Sequence, residues 1–561
     1  MATNINSRLP QKVLSVQSVP NKDITITMKV DGKVRQLNRK RDDPIKNTLK
    51  RILLNVVHQK ASKAQKKAKS NNVMTTPEIN LEIRRGDEKL SDDLPNADAF
   101  VEGNKLMIGD IAFDILVNAP AVASISLPEI IMAGFPVFPT VKLAFGSTEH
   151  SNFTWMASST STMDSSACEN ILWEEVGKGF SFTPTNNEMS RQLKCICTPA
   201  NEDRAGPFSE EAVSTKEVSA GPGFVFADER TIFTRKYLDD ADQLRVVSYN
   251  ILADVFADTE HGRNNLYPYC PPYALNFYYR RQLILKELLD YHADIICLQE
   301  CELKMFESFL EPAMRNEGYR GLLKLKLGDM PEGEALFFRT SRFKHQIDAS
   351  VSIREAIDTP ANAALKAQIG PESELLASIK KRHAIAQINI LMDSQTHRHL
   401  IIVNTHLYFR PNSPDIRLLQ MCIVLNYVSS FIEGHNLTDY SLLICGDMNS
   451  SKGSALLDYL DGETIETSNE VWKAIHSSSS NFVSQLKSPL NLINASGHPE
   501  FTNFVYGFQA TLDYVYGTAG SFEVQSILPQ PEREKIEMYG GLPNIVAPSD
   551  HLAVVLELKW L

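Results

Sequence analysis

Hydrophobic and polar positions divide the chain into three regions that differ in periodicity. In the first region, short alternating runs predict strands over Ile24–Val30, Ile79–Ile83 and Lys105–Val117. Between the first two strands, apolar residues at helical spacing predict an amphipathic helix over Ile45–Lys69, with last turns rich in lysine and alanine. We therefore expect an α+β domain over residues 22–120, preceded by a flexible or targeting segment over residues 1–21.

The middle region has the pattern of an all-β domain. Short runs punctuated by proline and glycine predict strands within Phe135–Phe145, Phe180–Thr183 and Gln192–Thr198. Trp155 and Cys197 are 42 residues apart, which is near the separation found in immunoglobulin-like sandwiches, although the first cysteine of that class is missing. We expect a β-sandwich over residues 121–220 that ends at a linker, Ala220–Gly223.

In the third region, strand patterns alternate with helical ones. Strands are predicted over Arg245–Tyr249, Asp294–Gln299, Ala335–Phe338, Ala384–Ile390, Leu400–Thr405, Leu442–Cys445, Leu512–Tyr516 and Leu552–Leu558. Helices are predicted over Tyr278–Tyr291 and Pro414–Ile432. This alternation predicts one α/β domain with a large buried core over residues 240–561.

Polar side chains stand at the ends of six predicted strands of this α/β domain. They are Asn250, Glu300, His406, Asp447 with Asn449, Asp513, and Asp550 with His551. Taken singly, each has an ordinary structural explanation, since a lone carboxylate is usually a surface group and Gly-Asp-x-Asn is often a turn. Polar groups at one end of several buried strands converge on a single rim, so six of them together predict a site.

The residue types of this rim suit metal-assisted attack on a phosphodiester. The candidate oxygen ligands for Mg²⁺ are Glu300, Asn250 and Asn449. Mn²⁺ accepts the same ligands, so the two ions are not separated by sequence. Asp447 is the candidate base for an attacking water. A carboxylate partner at Asp513 would orient His551 and keep it cationic.

Composition and charge restrict where a polyanion could bind. The net charge is −11, but 13 Lys/Arg and two Asp between Lys33 and Lys69 give +11 there and leave −22 for the rest. Any nucleic-acid contact must therefore be local, either at a basic arm or where a metal ion reverses the sign. The lysine-rich end of the predicted helix is either a solvated helix end or an electrostatic tether for RNA.

Targeting and membrane signals are weak. The apolar stretches are too short to span a bilayer, so we expect no membrane partner. The eight cysteines include no C-x-x-C pair, which argues against a thiolate zinc site. The first 22 residues contain Arg8, Lys12 and Lys22 without an acid, which is weakly similar to a mitochondrial transit peptide and equally compatible with a plain flexible start.

The strand-end motifs together resemble the exonuclease–endonuclease–phosphatase superfamily. The motifs are Tyr249-Asn250, Leu298-Gln299-Glu300, Asn404-Thr405-His406-Leu407, Gly446-Asp447-Met448-Asn449, Leu512-Asp513-Tyr514 and Ser549-Asp550-His551. Ser248–Asp254 and Asn404–Tyr408 are similar to its deadenylase branch, and in particular to the 2′,5′-phosphodiesterases of that branch. The likeness extends to Ile131–Pro136, Ala220–Gly223 and Leu266–Cys270.

This resemblance implies a fold and a role for each motif residue. The implied fold is α/β, with a four-layer α/β sandwich as catalytic domain and β-rich N-terminal domains. The implied metal residues are Glu300 as main Mg²⁺ ligand, with Asn250, Asp447, Asn449 and Asp550 around it. The implied catalytic residues are Asp447 with Asn449, His551 at the scissile phosphate, Asp513 behind it, and His406. Pro411 and Phe508 resemble a pair that sandwiches the terminal adenine; the alternative is ordinary loop packing.

The resemblance also implies the reaction. It is the metal-dependent removal of adenylate from 2′,5′-oligoadenylates and 3′,5′-linked poly(A), with release of 5′-AMP, in the mitochondrial matrix. The alternatives are a cytoplasmic poly(A)-specific deadenylase and a non-catalytic RNA-binding module. Superfamily neighbours are disfavoured, because Pro548–Leu552 lacks the Cys-Asp-Arg arrangement of inositol-phosphate phosphatases and Leu552-Ala553 does not suit abasic-site endonucleases.

Overall fold

The computed structural model describes residues 12–30, 33–54, 80–159, 171–437, 439–472 and 485–561. The first eleven residues of the predicted flexible or targeting segment lie outside these residues, as does the predicted helix beyond residue 54. The prediction is wrong for the rest of that segment, because Val13–Gln17 form a buried strand that pairs with two others. The described residues form two compact units. Of the described residues, we call those within 1–128, 138–182 and 190–217 the N-terminal unit, and those within 129–137, 183–189 and 218–561 the C-terminal unit.

The N-terminal unit begins with a seven-stranded mixed sheet. Its elements are β1 Val13–Gln17, β2 Ile24–Val30, β3 Lys33–Arg39, α1 over residues 45–54, β4 Leu81–Arg85, β5 Glu88–Lys89, α2 Asn96–Ala99, β6 Lys105–Ile108 and β7 Ile111–Val117. The strand order is β3-β2-β1-β7-β6-β4-β5. Ile45, Leu49 and Ile52 of α1 join the buried core with one face of the sheet. The run Lys105–Val117 is a hairpin rather than one strand, because Gly109 turns the chain with φ 59°.

The rest of the N-terminal unit is antiparallel. Its strands are β8 Ala121–Ser126, β9 Thr140–Ala144, β10 Ser147–Ser158, β11 Trp173–Lys178, β12 Leu193–Ala200 and β13 Glu210–Val213. They form a four-stranded sheet, β11-β10-β12-β13, and a two-stranded ribbon, β8-β9. Trp155 pairs with Cys195 rather than Cys197 in the β10–β12 register. Phe180–Thr183 belongs to none of these strands. The immunoglobulin-like class stays a prediction.

Two sheets dominate the C-terminal unit. Its strands are β14 Gln243–Asn250, β15 Ile295–Glu302, β16 Tyr319–Leu325, β17 Glu332–Arg339, β18 Phe343–Asp348, β19 Val351–Ser352, β20 Ile385–Asp393, β21 His399–His406, β22 Tyr440–Asp447, β23 Ile465–Glu466, β24 Gln485–Leu486, β25 Leu492–Asn494, β26 Asn503–Val505, β27 Phe508–Ala510, β28 Asp513–Thr518, β29 Phe522–Ile527 and β30 Val554–Trp560. One sheet has the order β16-β17-β15-β14-β30-β29, and the other β18-β20-β21-β22-β28-β25 with β19 beside β20.

The described part of this unit contains twelve α-helices, and the two longest cover the outer faces of the two sheets. The twelve helices are α3 Phe226–Thr231, α4 Asp254–Ala257, α5 Pro272–Leu275, α6 Phe277–Asp290, α7 Leu303–Met305, α8 Glu311–Asn316, α9 Ile353–Ala356, α10 Ala363–Ile369, α11 Glu374–Lys380, α12 Pro414–Gly434, α13 Ala455–Leu460 and α14 Arg533–Glu537. Glu287 of α6 contacts Tyr249 of β14, and α12 packs with β21 and β22 in one core.

Alternation along β21 shows why four layers form. Leu400 and Ile402 point into the core between the two sheets. Ile401 and Val403 point to the opposite face and pack with α12. A strand whose two faces are both apolar must be covered on both sides, so the sheets stack on each other and the helices lie outside. The predicted four-layer α/β sandwich is confirmed.

Helix α12 is a core helix of this unit. Its length and apolar composition would also suit a membrane span. However, 72% of its most apolar window is buried inside the protein. Leu418, Leu419 and Leu425 are fully buried in the core shared with β21. We therefore assign its apolar character to packing against the sheet.

The C-terminal unit begins earlier than the predicted boundary at residue 240. Arg230 of α3 is buried and donates to Tyr291 Oη at 2.7 Å and to the Ala553 carbonyl at 2.7 Å. Met132 and Phe135 pack into a core of the same unit, which brings the Ile131–Pro136 stretch into it. Strand patterns could not show this, because these segments contribute side chains and not strands to the sandwich.

Candidate active site

An open cavity of about 720 Å³ collects most of the predicted site residues at one rim of the two sheets. Those lining it are Glu300, His406, Asp447, Asn449, Phe508, Asp550 and His551. Asn250 and Asp513 are fully buried and hydrogen-bonded to members of this set. Pro411 is exposed and is not among the lining residues, so the structure does not bring it to the cavity.

Sheet register brings the strand ends together. In the parallel pair β21–β22, His406 is opposite Asp447. Gly446 permits this approach, since a Cβ there would lie 1.9 Å from the Thr405 carbonyl oxygen. Between the two sheets, Gln299 donates to the Asn404 side chain at 2.8 Å. This buried bond fixes β15 against β21, and therefore fixes Glu300 beside His406.

Glu300 is held by its neighbours in a demanding conformation. Its backbone has φ 57°, in the left-handed region that residues other than glycine adopt rarely and at a cost. Its carboxylate accepts from the Ala253 amide at 2.9 Å and from the Asn250 amide nitrogen at 3.1 Å. Burial, together with repulsion from Glu332 and Asp550, raises the pKa of Glu300 to about 7.

Asn250 occupies the position between the two main carboxylates of the site. Its Nδ2 donates to Glu300 Oε1 and to Asp447 Oδ2, both at 3.1 Å. Its Oδ1 accepts from the Leu252 amide at 3.0 Å. Asn250 therefore bridges the two carboxylates through its nitrogen. Its oxygen, which we predicted to be a metal ligand, is turned to the Leu252 amide.

Asp447 lies between two histidines. Its Oδ2 is 3.5 Å from His406 Nε2 and 3.6 Å from His551 Nε2. Its Oδ1 accepts from the Asn449 amide at 2.9 Å. Burial and repulsion from Asp513 raise the pKa of Asp447 to about 6, which brings it close to the range suited to a general base at neutral pH.

The two histidines have opposite protonation preferences. Burial disfavours a charged His551, but attraction to Asp513 and Asp447 outweighs it and raises the pKa of His551 well above its usual range. His551 Nδ1 is 2.7 Å from Asp513 Oδ2, which also accepts from Thr502. Burial and the positive charges of Lys326 and His551 lower the pKa of His406 well below its usual range. The site thus holds a cationic His551 and a neutral His406.

Several supporting residues were not predicted from sequence. Tyr267 donates to Asp550 Oδ2 at 2.9 Å, and Lys326 lies 3.4 Å from His406 Nδ1 and 2.8 Å from Glu332. Tyr267 lies in the Leu266–Cys270 stretch, which was noted only for its likeness. The sequence around Lys326 has no motif that marks it as a site residue. Its role comes from contacts with His406 and Glu332, which lie on β21 and β17.

Arg280 of α6 is a further supporting residue that was not predicted. It is buried and donates to the carbonyls of Ile251, Leu252 and Pro548. These carbonyls belong to the loops that follow Asn250 and precede Asp550. Arg280 therefore ties together the two loops that carry site residues, in a role that helical periodicity cannot reveal because it looks like any polar helix position.

The cavity carboxylates suit a hard divalent cation. Glu300, Asp447 and Asp550 line the open cavity, where an ion could keep several waters as Mg²⁺ prefers. Asp447, Asp513 and His551 also place one ligand atom each within 4.8 Å of one another, a grouping that could hold a metal ion. We favour the Glu300 side, because Asp513 already engages His551 and Thr502 and does not line the cavity.

Aromatic residues line the same cavity as the carboxylates. Phe508 of β27 is 51% exposed and Phe409 is 65% exposed. Phe508 therefore has the exposed ring that adenine stacking needs. Phe409, two residues before Pro411, offers a second exposed ring that sequence patterns did not single out.

Comparisons with known families cover most of the chain. The family described as "Endonuclease/Exonuclease/phosphatase family" matches residues 247–551, from within β14 to His551. The family described as "2',5'-phosphodiesterase 12-like, N-terminal domain" matches residues 119–219. Residues 119–219 include all six strands of the antiparallel part of the N-terminal unit.

Curated relatives match over nearly the full length. "2',5'-phosphodiesterase 12" of Rattus norvegicus is 33% identical over 98% of this chain and 94% of its own length. The Homo sapiens protein of the same name is 33% identical over 98% and 93%. "CCR4-Not complex 3'-5'-exoribonuclease subunit Ccr4" of Schizosaccharomyces pombe is 28% identical over 56% and 49%. Among solved structures, "ANGEL2, a 2',3'-cyclic phosphatase" matches 57% of this chain and 96% of its own, with 23% identity and a TM-score of 0.47.

Proposed function

Since this chain belongs to the endonuclease/exonuclease/phosphatase family, and within it to the 2',5'-phosphodiesterase 12 family, we propose that it removes adenylates from 2′,5′-oligoadenylates and from 3′,5′-linked poly(A) in a Mg²⁺-dependent reaction. The chain is a phosphodiesterase of the exoribonuclease class. The linkage, the metal ion and the RNA are the parts that we propose. The relatives' printed names support both linkages, because "2',5'-phosphodiesterase 12" names the first and a "3'-5'-exoribonuclease" degrades ordinary RNA, which is 3′,5′-linked.

One observation carries the proposal. An open cavity has, at one end, Asp447 between a cationic and a neutral imidazole, and elsewhere an exposed aromatic ring at Phe508. The first arrangement suits hydrolysis of a phosphodiester, and the second suits a base. No thiol or hydroxyl nucleophile is needed, because water is the acceptor.

The charge states of the side chains define their tasks. Asp447, as a carboxylate with a raised pKa, takes a proton from the attacking water. His551, held cationic by Asp513, donates to a non-bridging phosphate oxygen as negative charge develops there. His406 accepts from Lys326 at Nδ1 in its neutral form, which leaves the N–H on Nε2, facing Asp447. A divalent cation bound by Glu300 and Asp550 would add positive charge at the phosphate oxygens.

The proposal is tested by AMP release from 2′,5′-triadenylate and 3′,5′-oligo(A), each with Mg²⁺, Mn²⁺ or EDTA. We expect metal-dependent release from both substrates and a loss of at least about 10³-fold in Asp447→Ala, because the base is removed. Asp439→Ala changes an exposed aspartate just before β22 and serves as the matched control. Release that survives EDTA, or an active Asp447→Ala, would contradict the proposal.

We further propose the mitochondrial matrix as the location, with the cytoplasm as the alternative. Support comes from the resemblance to the mitochondrial members of the branch. The basic, acid-free start of the chain adds support only before Val13, because Val13–Gln17 form a strand of the folded sheet. The test is fractionation of cells that carry the full chain with a C-terminal reporter. Reporter that is protected from protease inside mitochondria supports the matrix, and reporter confined to the cytosol contradicts it.

A further inference from the structure

We infer that the cavity wall formed by Lys381, Arg382, Tyr408 and Phe409 binds the nucleotide next to the terminal one, with Phe409 stacking its base and the two cations holding its 5′-phosphate. The inference rests on the proposed function, because it assigns a second subsite to the same substrate. This wall adjoins the strand-end rim but consists of other residues, since Lys381 and Arg382 lie in the loop between α11 and β20 and Tyr408 and Phe409 follow β21.

The charges around the cavity are unevenly distributed. The strand-end rim mixes the carboxylates Glu300, Asp447 and Asp550, which suit a metal ion, with the cations Lys326 and His551. The α11–β20 loop carries Lys381, Arg382 and His383 in succession, and all three line the cavity. Binding of the scissile phosphate alone would require only the residues of the rim. A second cationic wall in the same cavity indicates a second phosphate of the same chain.

The guanidinium of Arg382 is placed to bind a phosphate rather than to form an internal ion pair. Its guanidinium carbon lies 4.1 Å from the centre of the Tyr408 ring, which holds the group flat against an aromatic face. Its Nη2 makes one long bond to Ser378 at 3.4 Å, and its buried Nε makes no hydrogen bond within the described residues. The nearby carboxylate is Asp415, which lies at the start of α12. The fork thus retains donors for a bidentate contact.

Lys381 and Phe409 complete the subsite. Lys381 is exposed, and in the described part of the chain its ammonium forms no ion pair. Phe409 packs edge-on against Tyr408 with ring centroids 5.3 Å apart, which leaves it 65% exposed at the cavity. A large apolar ring held in place at a polar cavity is the feature that stacks a base in single-stranded nucleic acid.

The substrate chemistry allows a direct test. In the dinucleotide ApA the nucleoside before the scissile bond has no 5′-phosphate, whereas in pApA it has one. We would measure kcat/KM for both, in the linkage that the wild-type enzyme cleaves faster. We expect wild-type protein to prefer pApA, and the pApA-to-ApA ratio to fall about tenfold in Arg382→Gln, the effect of losing one charge-assisted hydrogen bond. A smaller fall is expected in Lys381→Gln, since its ammonium is exposed and flexible.

Controls separate this inference from the proposed function. Arg320→Gln removes an exposed arginine of β16 outside the cavity and should keep the wild-type ratio. Arg382→Lys keeps the charge and should retain part of the preference. No wild-type preference for pApA, or an equal loss on both substrates in Arg382→Gln, would overturn the subsite. Failure of the wild-type enzyme to cleave either dinucleotide or longer oligoadenylates would instead overturn the proposed function.

The stacking role of Phe409 is tested by a separate comparison of two substrates. The substrate pair is ApApA and the same trinucleotide with an abasic ribose in the middle position. We expect wild-type protein to prefer ApApA and Phe409→Ala to lose about tenfold of that preference. Phe233→Ala, which changes a similarly exposed ring outside the cavity, should keep the preference. An unchanged preference in Phe409→Ala would overturn the stacking contact.

Discussion

Single residues in the site differ in charge state because their immediate neighbours differ. His551 faces two carboxylates and stays cationic, whereas His406 faces Lys326 and stays neutral. The predicted pairing of Asp513 with His551 is present at 2.7 Å. The same residue type thus has two tasks in one cavity, and the neighbours that decide between them come from other strands.

Asp513→Asn should lower the pKa of His551. The carboxylate of Asp513 raises that pKa by charge attraction and by its hydrogen bond, while burial acts in the opposite direction and remains in the variant. His551 should therefore lose its proton at a lower pH than in wild-type protein. The measurement is an NMR titration of the histidine ring signals in metal-free protein. An unchanged His551 pKa would mean that Asp447 and Asp550 suffice to keep the ring charged.

Phe508→Ala should raise KM for oligoadenylate about tenfold, with a smaller effect on kcat. The reason is loss of base stacking at an exposed ring that lines the cavity. Pro411→Ala is the informative comparison, because Pro411 is exposed outside the cavity lining and should leave KM within about twofold. An equal rise in KM for both variants would favour the sandwich that sequence resemblance implied.

At the scale of elements, one small polar contact joins the two sheets across an otherwise apolar interface. Asn404 of β21 is fully buried, accepts from Gln299 of β15, and donates to the carbonyls of Leu298 and Ala335. Apolar packing alone would allow the two sheets to slide, since it has no direction. The amide–amide contact fixes their relative position, and with it the distance between Glu300 and His406.

Asn404→Leu should therefore destabilise the protein by about 2–4 kcal/mol, because the Gln299 amide and two carbonyls lose a buried partner. Activity should fall further than the folded fraction does, since Glu300 and His406 lose their relative position. The measurement is urea unfolding followed by circular dichroism, beside the AMP assay. The exposed Asn316→Leu at the end of α8 is the control, and it should change stability by less than about 0.5 kcal/mol. A stability loss below about 0.5 kcal/mol in Asn404→Leu would show that Asn404 does not hold the two sheets in place.

At the scale of the whole molecule, the unit that carries the site includes segments well before its first sheet strand. Residues 129–137, 183–189 and 218–242 contribute no strand to the two sheets, yet they belong to the C-terminal unit. Arg230 makes one of these connections, because it is buried beside Glu287 at 3.7 Å and reaches the loop before the final strand.

Arg230→Met in the full chain should destabilise the C-terminal unit by about 3–5 kcal/mol, because Glu287 is left buried without its cationic neighbour. The exposed Arg235→Met should change stability by less than about 0.5 kcal/mol. Thermal unfolding of both variants, read by tryptophan fluorescence and by loss of AMP release, checks this. Equal unfolding temperatures for the two variants would show that the contacts of Arg230 do not stabilise the unit.

Much of the catalytic fold was predictable from sequence alone, because buried strands are apolar and local. All eight strands predicted after residue 240 exist with shifts of a few residues, as do both helices. The edge strands β16, β18, β25 and β29 were missed, because edge strands are only partly buried and lack the continuous apolar run of the central strands. The β26–β27 hairpin was missed as well, since three-residue elements have too few positions to show a period. In the N-terminal unit, the Lys105–Val117 hairpin was read as one strand because its turn is only two residues long.

What the sequence determined by itself was which chemical groups stand at the ends of strands, since these follow directly from residue order. What only the tertiary structure decided was how those groups act on one another. Asn250 presents nitrogen rather than oxygen, and Pro411 stays outside the cavity. Lys326, Arg280 and Tyr267 became visible as supports only once distant segments met. Charge state and orientation depend on neighbours across the fold, and those neighbours are set by sheet stacking rather than by local pattern.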